Sequence, residues 1–540
     1  MRSEKRDSGK RKQRNWKRGM AFGMAALMAG SGLYGCGKSK EPEETKDGKM
    51  TLELWTSNRD AMENDDAWYV KKIEDTFDVN IEMKYRNEGG QDYQEWLTLS
   101  MTGKDAPDWF RDQAVSPKML ADFADDGVVA ELDPEMIQEN MPNLMAYYEK
   151  FENIFGKNPL ELYAVDGKIY SIPDAFPELT QFCLMAFRQD WLDKLNLSMP
   201  TNLDELEEVY RAFTFDDPDG NGVDDTYGYV GITGSTSAAF SPMFGAFGVY
   251  PGIWYEGEDG TLTRGELEVE KMQDALTYIK KLYDDGVIDP EWMTIDYEDS
   301  KDKVISGVVG SSYQNWINVQ TGDGWYSTVY DNFPDAELSV SYGPKGLDGE
   351  YGIMQFNPLA GVGLVFSKHM EEEPEKMAKY LQIFDTIAGD PSWYEAEVWG
   401  EEGVTFTKDE NGNRVYTEEY STEDARREFG IGKEYKFPSL ETLLSDPEVH
   451  DEITYDVETN RIRQETRPNI VGKYDVMSAC YLPVYNEVSQ DLPNVDAALA
   501  DFIMGKRDIS EYGDFVEEWL AAGGQEALEE AQQIYEERFK

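Results

Sequence analysis

The stretch from residue 50 to residue 112 alternates strand and helix patterns, and that alternation restricts the fold more than any other feature of the chain. "MTLELWTSNRD" (50–60) is an alternating strand running into a polar turn. An amphipathic stretch follows at 65–76, then the strand "VNIEMKYRN" (79–87), a helix near 91–103 and the strand "PDWFRD" (107–112). Strand–helix–strand order predicts a parallel sheet covered by helices, an α/β fold. In such sheets ligands bind beyond the carboxyl ends of the strands. Trp55, Thr56, Ser57, Asn58, Arg59, Arg111 and Asp112 fall at those ends.

The N-terminus has a different character. Residues 2–18 carry nine Lys or Arg and two acids, and a short apolar run follows, "MAFGMAALMAGSGLYG" (20–35). The run is shorter than the roughly 20 apolar residues of a membrane span and reads, with its basic lead, as a secretory signal over 1–35. "LYGC" (33–36) resembles a bacterial lipobox. That resemblance implies cleavage before Cys36 and lipid on its thiol and amine; the alternative is an ordinary signal peptide with Cys36 incidental. "GKSKEPEETKDGK" (37–49) lacks core-forming residues, so 36–49 reads as a lipidated Cys and flexible tether. Loss of residues 1–35 moves the formal charge from −56 to about −63. So acidic a surface repels nucleic acid and anionic headgroups. The expectation is a soluble domain at the extracellular face of the cell membrane, touching it only through a two-chain lipid anchor.

About 505 residues remain, more than one core accommodates, and two lobes are predicted. Cys183 and Cys480 are either paired, as export allows, or two buried thiols. With only His369 and His450 in the chain, a His-based metal or acid–base site is not expected. Asp166-Gly167 in "LYAVDGKIYSIPDAFP" (162–177) signals a hairpin. In "LMAFRQDWLDKLNLSMPTNLDELEEVYRAF" (184–213) a strand enters a helix, and Asn202 caps the next helix with Glu205 as capping-box partner. Residues 267–286 carry helical spacing at Met272, Ala275, Leu276, Ile279 and Leu282, and 509–538 reads as two helices broken at Gly523-Gly524. "DDPDGNGVDDTYG" (216–228) places Asp217, Asp219, Asn221, Val223 and Asp225 at alternate positions, with Gly222 where a calcium loop needs a positive φ. The twelfth position, a bidentate Glu in an EF-hand, is Gly228. The spacing fits a calcium loop or an acidic turn; without a paired loop or a Met-rich groove, a sensor is not supported.

Several segments together resemble the extracellular solute-binding proteins of ABC transporters, in the carbohydrate-uptake group with maltose-binding-like folds. They are "VDGKIYSIP" (165–173), "FRQDWLDKLNLSMPTNLDEL" (187–206), "ALTYIKKLYDDGVIDPEW" (275–292), "GVVGSSYQNW" (307–316), "VWGEEGVTFTKDENGNRVY" (398–416) and the run 502–539. The longer, lipoprotein-type branch of Gram-positive bacteria is the most similar, including alginate-oligosaccharide-binding proteins. The resemblance implies two α/β lobes of the type II periplasmic-binding kind, a ligand in the cleft between them, a permease partner, a monomer and no catalysis. It places lobe 1 at 50–173 plus 358–470 and lobe 2 at 174–357 plus 471–540. Crossings are expected near Ser171–Asp174, near Pro358–Val362 and near 470. It also implies a structural Ca2+ held by Asp217, Asp219, Asn221, the Val223 carbonyl and Asp225, with Asp224, another acid or water completing the shell.

A sugar offers flat apolar faces and an edge of hydroxyls, so its site needs aromatic platforms and planar polar groups. Candidates are Trp55, Ser57, Arg59, Arg111, Asp112, Arg188, Trp254, Tyr313, Gln314, Asn315, Trp316 and Trp399, with Tyr255, Trp325 and Arg467 behind them. Trp316 matches a family segment whose Trp often stacks on sugar. Core packing competes for every Trp, and Trp109, Trp191 and Trp519 go to it because they sit on apolar faces. Two rival functions remain open: a binder of peptides, polyamines or another solute, and a secreted carbohydrate-active enzyme. For the enzyme the sequence offers no GxSxG or HExxH motif. Its 107 acids satisfy any carboxylate spacing, so they carry no signal.

Overall fold

The computed structural model describes residues 48–56, 64, 66–85, 90–101, 103, 106–111, 115–175, 183–231, 235–257, 259–315, 327–347, 349, 358–432, 447–466 and 473–540. Lys49–Lys540 is one compact unit. Among its described residues there are two large apolar cores and two small ones.

The first core begins as the alternation predicts. Strand β1 (Met50–Thr56) buries Leu52 and Leu54 and pairs in parallel with β2 (Val79–Tyr85), Met50 opposite Val79. Helix Trp68–Phe77 joins them, buries Tyr69, Val70 and Ile73, and ends at Asp78 with φ 55°. Strand β3 (Trp109–Arg111) departs from expectation: it does not extend this ladder but pairs antiparallel with a strand 250 residues later. Side chains link β1 to the start of β3 instead. The Glu53 N–H donates to the Tyr380 hydroxyl (2.5 Å), its carbonyl accepts from Trp109 Nε1 (3.2 Å), and its carboxylate accepts from the Asp108 N–H (3.1 Å). Asp108 is buried and also accepts from Tyr380 (2.7 Å), Lys376 (2.7 Å) and His369 (3.1 Å). Burial opposes its charge, but these bonds outweigh burial and hold its carboxyl below the usual range. The Val165–Lys168 hairpin has Asp166 at φ 49° and Gly167 at φ 76°, as a primed turn requires, and leads to β4 (Ile172–Ala175).

The second core is built on β5 (Cys183–Arg188), β6 (Val230–Gly231), β9 (Ser311–Asn315) and β10 (Leu338–Ser341), in the order β10-β5-β9-β6. A hairpin, β7 (Trp254–Glu256) and β8 (Leu262–Arg264), stands apart from this sheet. Helix Val269–Asp284 buries Met272, Ala275, Leu276, Ile279 and Leu282, the predicted stripe. Helix Leu203–Phe215 is capped by Asn202, which accepts from the Glu205 N–H at 3.0 Å. The Glu205 carboxylate reaches back to the Thr201 N–H (2.8 Å), one residue before the position a capping box uses.

The chain then returns to the first core. Strand β11 (Leu359–Phe366) runs antiparallel between β3 and β4. Gly363 takes φ 73°, and a Cβ there would lie 2.0 Å from the Ile172 carbonyl oxygen, so only Gly fits. A further hairpin, β12 (Phe406–Lys408) with β13 (Arg414–Tyr416), adjoins a small core of Tyr394, Val398 and Ile453. Another small core joins Trp254 and Leu262 to Met477, Cys480 and Leu482 and to Ala531 and Tyr535 of helix Gln525–Phe539. Cys480 is a free buried thiol whose pKa burial pushes up to about 11; the Cys183 side chain lies outside the described residues. Helices Tyr512–Trp519 and Gln525–Phe539 are separated by a π turn with Gly523 at φ 113°, where the sequence places the break. Among the described residues no helix is long and apolar enough to cross a membrane.

Candidate functional site

Trp55 lies near the carboxyl end of β1, half-buried, opposite Lys84 of β2. Its ring packs edge-on against Trp96 of helix Gly90–Met101, at 5.6 Å and 64°. Its Nε1 is enclosed and has no hydrogen-bond partner among the described residues. Arg111 ends β3 and reaches to Asp174 of β4, Nε to Oδ1 at 3.1 Å and Nη2 to Oδ2 at 2.8 Å. Burial raises the pKa of Asp174, and Arg111 opposes that rise. In the second core Tyr313 is buried on β9, between Met185 of β5 and Gly231 of β6. Gln314 and Asn315 end the same strand opposite Leu184 and Cys183. The side chains of Gln314 and Asn315, and Ser57, Arg59, Asp112, Trp316, Trp325 and Arg467 altogether, lie outside the described residues, as does Cys36.

Trp254, Tyr255 and Arg188 are enclosed by protein, and Trp399 is half-buried. Trp254 is 3% exposed, with the Arg264 guanidinium 4.9 Å over its ring and Tyr485 edge-on at 5.6 Å. Tyr255 is buried and donates to the Glu268 carboxylate. Arg188 is 4% exposed; its guanidinium forks onto Asp190 (2.8 and 2.5 Å) and lies 4.7 Å over Trp191 and 5.3 Å over Phe333. Trp399 donates to the Ile453 carbonyl at 2.8 Å and packs on Tyr416 at 4.7 Å. Trp109, Trp191 and Trp519 are buried, as their apolar faces predict. The structure thus ties Arg111 to Asp174 and puts Trp55 against Trp96, while Trp254, Arg188 and Trp399 sit in three separate packing environments. Asp174 and Trp96 carried no sequence signal beyond closeness to a predicted crossing and a predicted helix.

The loop 216–228 converges on Asn221. Its Nδ2 lies 2.7 Å from Asp219 Oδ2 and 3.1 Å from Asp225 Oδ1, and its Oδ1 accepts from the Val223 N–H at 2.7 Å. Asp217 accepts from the Gly222 N–H at 3.2 Å through either carboxylate oxygen, and that bond lowers its pKa. Lys194 holds the Asp217 and Pro218 carbonyls at 3.1 and 2.7 Å. Among the described residues no three His, Cys, Asp or Glu side chains form a metal-holding group. Oxygen donors from Asp217, Asp219, Asn221 and Asp225 nevertheless share one small exposed loop, the donor chemistry calcium takes. The twelfth position cannot supply the missing ligand: a Cβ on Gly228 would lie 2.6 Å from the Tyr210 Cβ.

Residues 60–380 match the family model described as bacterial extracellular solute-binding protein. The polygalacturonan/rhamnogalacturonan-binding protein YtcQ of Bacillus subtilis is 27% identical over 410 residues, covering 74% of each chain. Lipoprotein LipO of the same organism is 26% identical over 414 residues, 73% of this chain and 76% of LipO. The structure of the S. pneumoniae ABC-transporter substrate-binding protein FusA, an EF-hand mutant in complex with fructo-nystose, is similar with a TM-score of 0.59. It is 20% identical and covers 90% of this chain and 99% of FusA. The match to the family model spans more than half of the chain, and the described residues form two large cores, each with its own strands: this chain belongs to the bacterial extracellular solute-binding proteins and has their two-lobed α/β fold.

Proposed function

We propose that this protein is the substrate-binding component of an ABC importer, which captures an oligosaccharide by closing its two lobes and delivers it to a membrane permease. The observation that carries the reading is the pair of separate α/β cores, in a chain related over three quarters of its length to a polysaccharide-binding protein. The lobes are 50–173 with 358–470 and 174–357 with 471–540. The ligand lies at the strand ends, stacked on Trp55. A ligand that touches both lobes favours the closed arrangement by its differential affinity for it. The protein has no catalytic role. It is exported, cleaved before Cys36 and held at the outer face of the membrane by lipid, a reading supported by its relation to a lipoprotein.

The test is a purified protein incubated with oligosaccharide, peptide and polyamine panels. A saturable thermal shift with oligosaccharides and no turnover is expected. Turnover would make it an enzyme, and a shift confined to peptides or polyamines would move it to another solute.

Calcium in the loop would be held by Asp217, Asp219, Asn221, the Val223 carbonyl and Asp225. Its chemistry there is charge neutralisation of three carboxylates, which pins the connection between helix Leu203–Phe215 and β6. Extracellular calcium fills even a site of roughly 10⁻⁴ M. A chelator is therefore expected to lower the melting temperature, and Asp219→Asn to abolish that response while leaving sugar binding in place. An unmoved melting temperature in chelator would make the loop an acidic turn.

A further inference from the structure

Strand β4 is the last described strand of the first core before the second core begins, and β11 is the first after the chain returns. Their ladder is broken where they part. Leu359 pairs with Ala175, Gly361 with Asp174 and Leu364 with Ile172, and the register shifts on both sides of Gly361. Such irregularities weaken backbone pairing and bend the strand. A Cβ on Gly361 would meet nothing within 4 Å, so the returning strand is loosely packed at this position. Opposite Gly361 stands Asp174, and its side chain is held from β3 by the two-bond fork of Arg111. A fork of this kind fixes orientation as well as distance. The side chains of Arg111 and Asp174 are 18% and 4% exposed. The crossing segment has two further ties to the first core: the Tyr148 hydroxyl donates to the Pro173 carbonyl, and Tyr163 to that of Leu359 at 3.3 Å.

We propose that Arg111 and Asp174 are positioning residues that set the angle between the lobes of the ligand-free protein, and through it the ligand affinity, without touching the ligand. The proposal rests on the lobe-closure reading above and gives Arg111 a different task from the ligand contact its strand-end position suggests. Apparent affinity scales with the fraction of molecules in the binding-competent arrangement, so a pair that biases this fraction acts from outside the site. Removing Arg111 leaves the enclosed Asp174 carboxylate without its fork, which frees the crossing strand where its pairing is irregular.

The experiment compares wild type with Arg111→Gln, Arg111→Lys, Asp174→Asn and the Arg111→Gln/Asp174→Asn double variant, each as mature protein. Small-angle scattering without ligand reads the lobe arrangement, and titration with a panel of oligosaccharides reads affinity. Arg111→Gln and Asp174→Asn are expected to shift the ligand-free profile in the same direction. They should change affinity by roughly 5- to 50-fold, equally for every sugar. The double variant should match Arg111→Gln, because the Asp174 substitution then has no fork left to break. Arg111→Lys, which keeps charge but loses the fork, should fall between. An unchanged ligand-free profile in both single variants overturns the proposal. So does a sugar-selective loss in Arg111→Gln that Asp174→Asn does not share, which would make Arg111 a ligand contact. Should Asp174→Asn fail to fold, Arg111→Lys decides on the same two readouts. Should no oligosaccharide bind, scattering still decides this inference and the failure falls on the functional reading alone.

Discussion

Asp475 is a single residue whose surroundings predict a pH dependence. It sits beside the small core that joins the β7–β8 hairpin to the C-terminal helix, and it accepts from the Met477 N–H at 2.8 Å. Burial pushes its pKa up to about 6; Arg264 pulls it down and Glu266 pushes it further up. Arg264 and Glu266 are themselves buried and paired, with Arg264 lodged against Trp254 and Tyr485. An acid whose pKa is raised in the folded state binds its proton more tightly there than in the unfolded chain. Its contribution to stability is full below the ordinary value of 3.8 and is lost as pH rises through about 6. Asp475→Asn keeps the Oδ1 acceptor and removes the charge. The variant is expected to melt a few degrees (about 2–6 °C) above wild type at pH 7.5 and level with it at pH 4. Melting curves at the two pH values check this, and a difference that does not change with pH would refute the assignment.

At the scale of elements, what the sequence disclosed was local. The buried stripe of helix Val269–Asp284, the Asp166-Gly167 turn and the break at Gly523-Gly524 each depend on residues a few positions apart. What stayed hidden depends on distant partners. β3 pairs with β11 rather than joining β1, because Glu53, Asp108 and Tyr380, far apart in sequence, occupy the space between β1 and β3. The same holds for the site. The strand-end position of Trp55 was legible, but the partner of Arg111 lies 63 residues away. Trp254 has the composition of a sugar platform and the burial of a core residue, a difference sequence cannot express. The β4–β11 crossing yields an element-scale prediction. Gly363→Ala must place a methyl against the Ile172 carbonyl and hold a left-handed backbone. It is expected to cost about 1–3 kcal/mol, as strained conformations of this kind do. Gly361→Ala, with open space at its Cβ, should cost less. Denaturant titrations of both variants test the pair, and equal costs would mean that the crossing is not constrained at Gly363.

For the whole molecule, the question is what makes two cores behave as one. The C-terminal helix Gln525–Phe539 reaches the first core and the small core beside the β7–β8 hairpin. Ala531 and Tyr535 fill the small core shared with Trp254, Met477 and Cys480, and the Leu262 N–H of the β7–β8 hairpin donates to Gln532 at 2.7 Å. The Glu530 carboxylate takes the Val484 N–H at 2.9 Å. At the far end Phe539 packs against the first core, and Arg538 donates to the Leu162 carbonyl at 2.6 Å. Each large core has its own sheet and its own apolar residues, so each satisfies the usual requirement for folding alone. If this helix helps to couple the two cores, its loss separates their unfolding. Deleting residues 525–540 removes Ala531 and Tyr535 from the shared core and the Arg538 and Phe539 contacts with the first. Calorimetry of the intact protein is expected to show one cooperative transition, and the truncated chain two, with the lower one well below the original melting temperature. Arg538→Ala removes only the link to Leu162 and should broaden the single transition without splitting it. One sharp transition at an unchanged temperature in the truncated protein would place the coupling entirely in the crossing strands. The helix would then be packing on one lobe rather than holding two together.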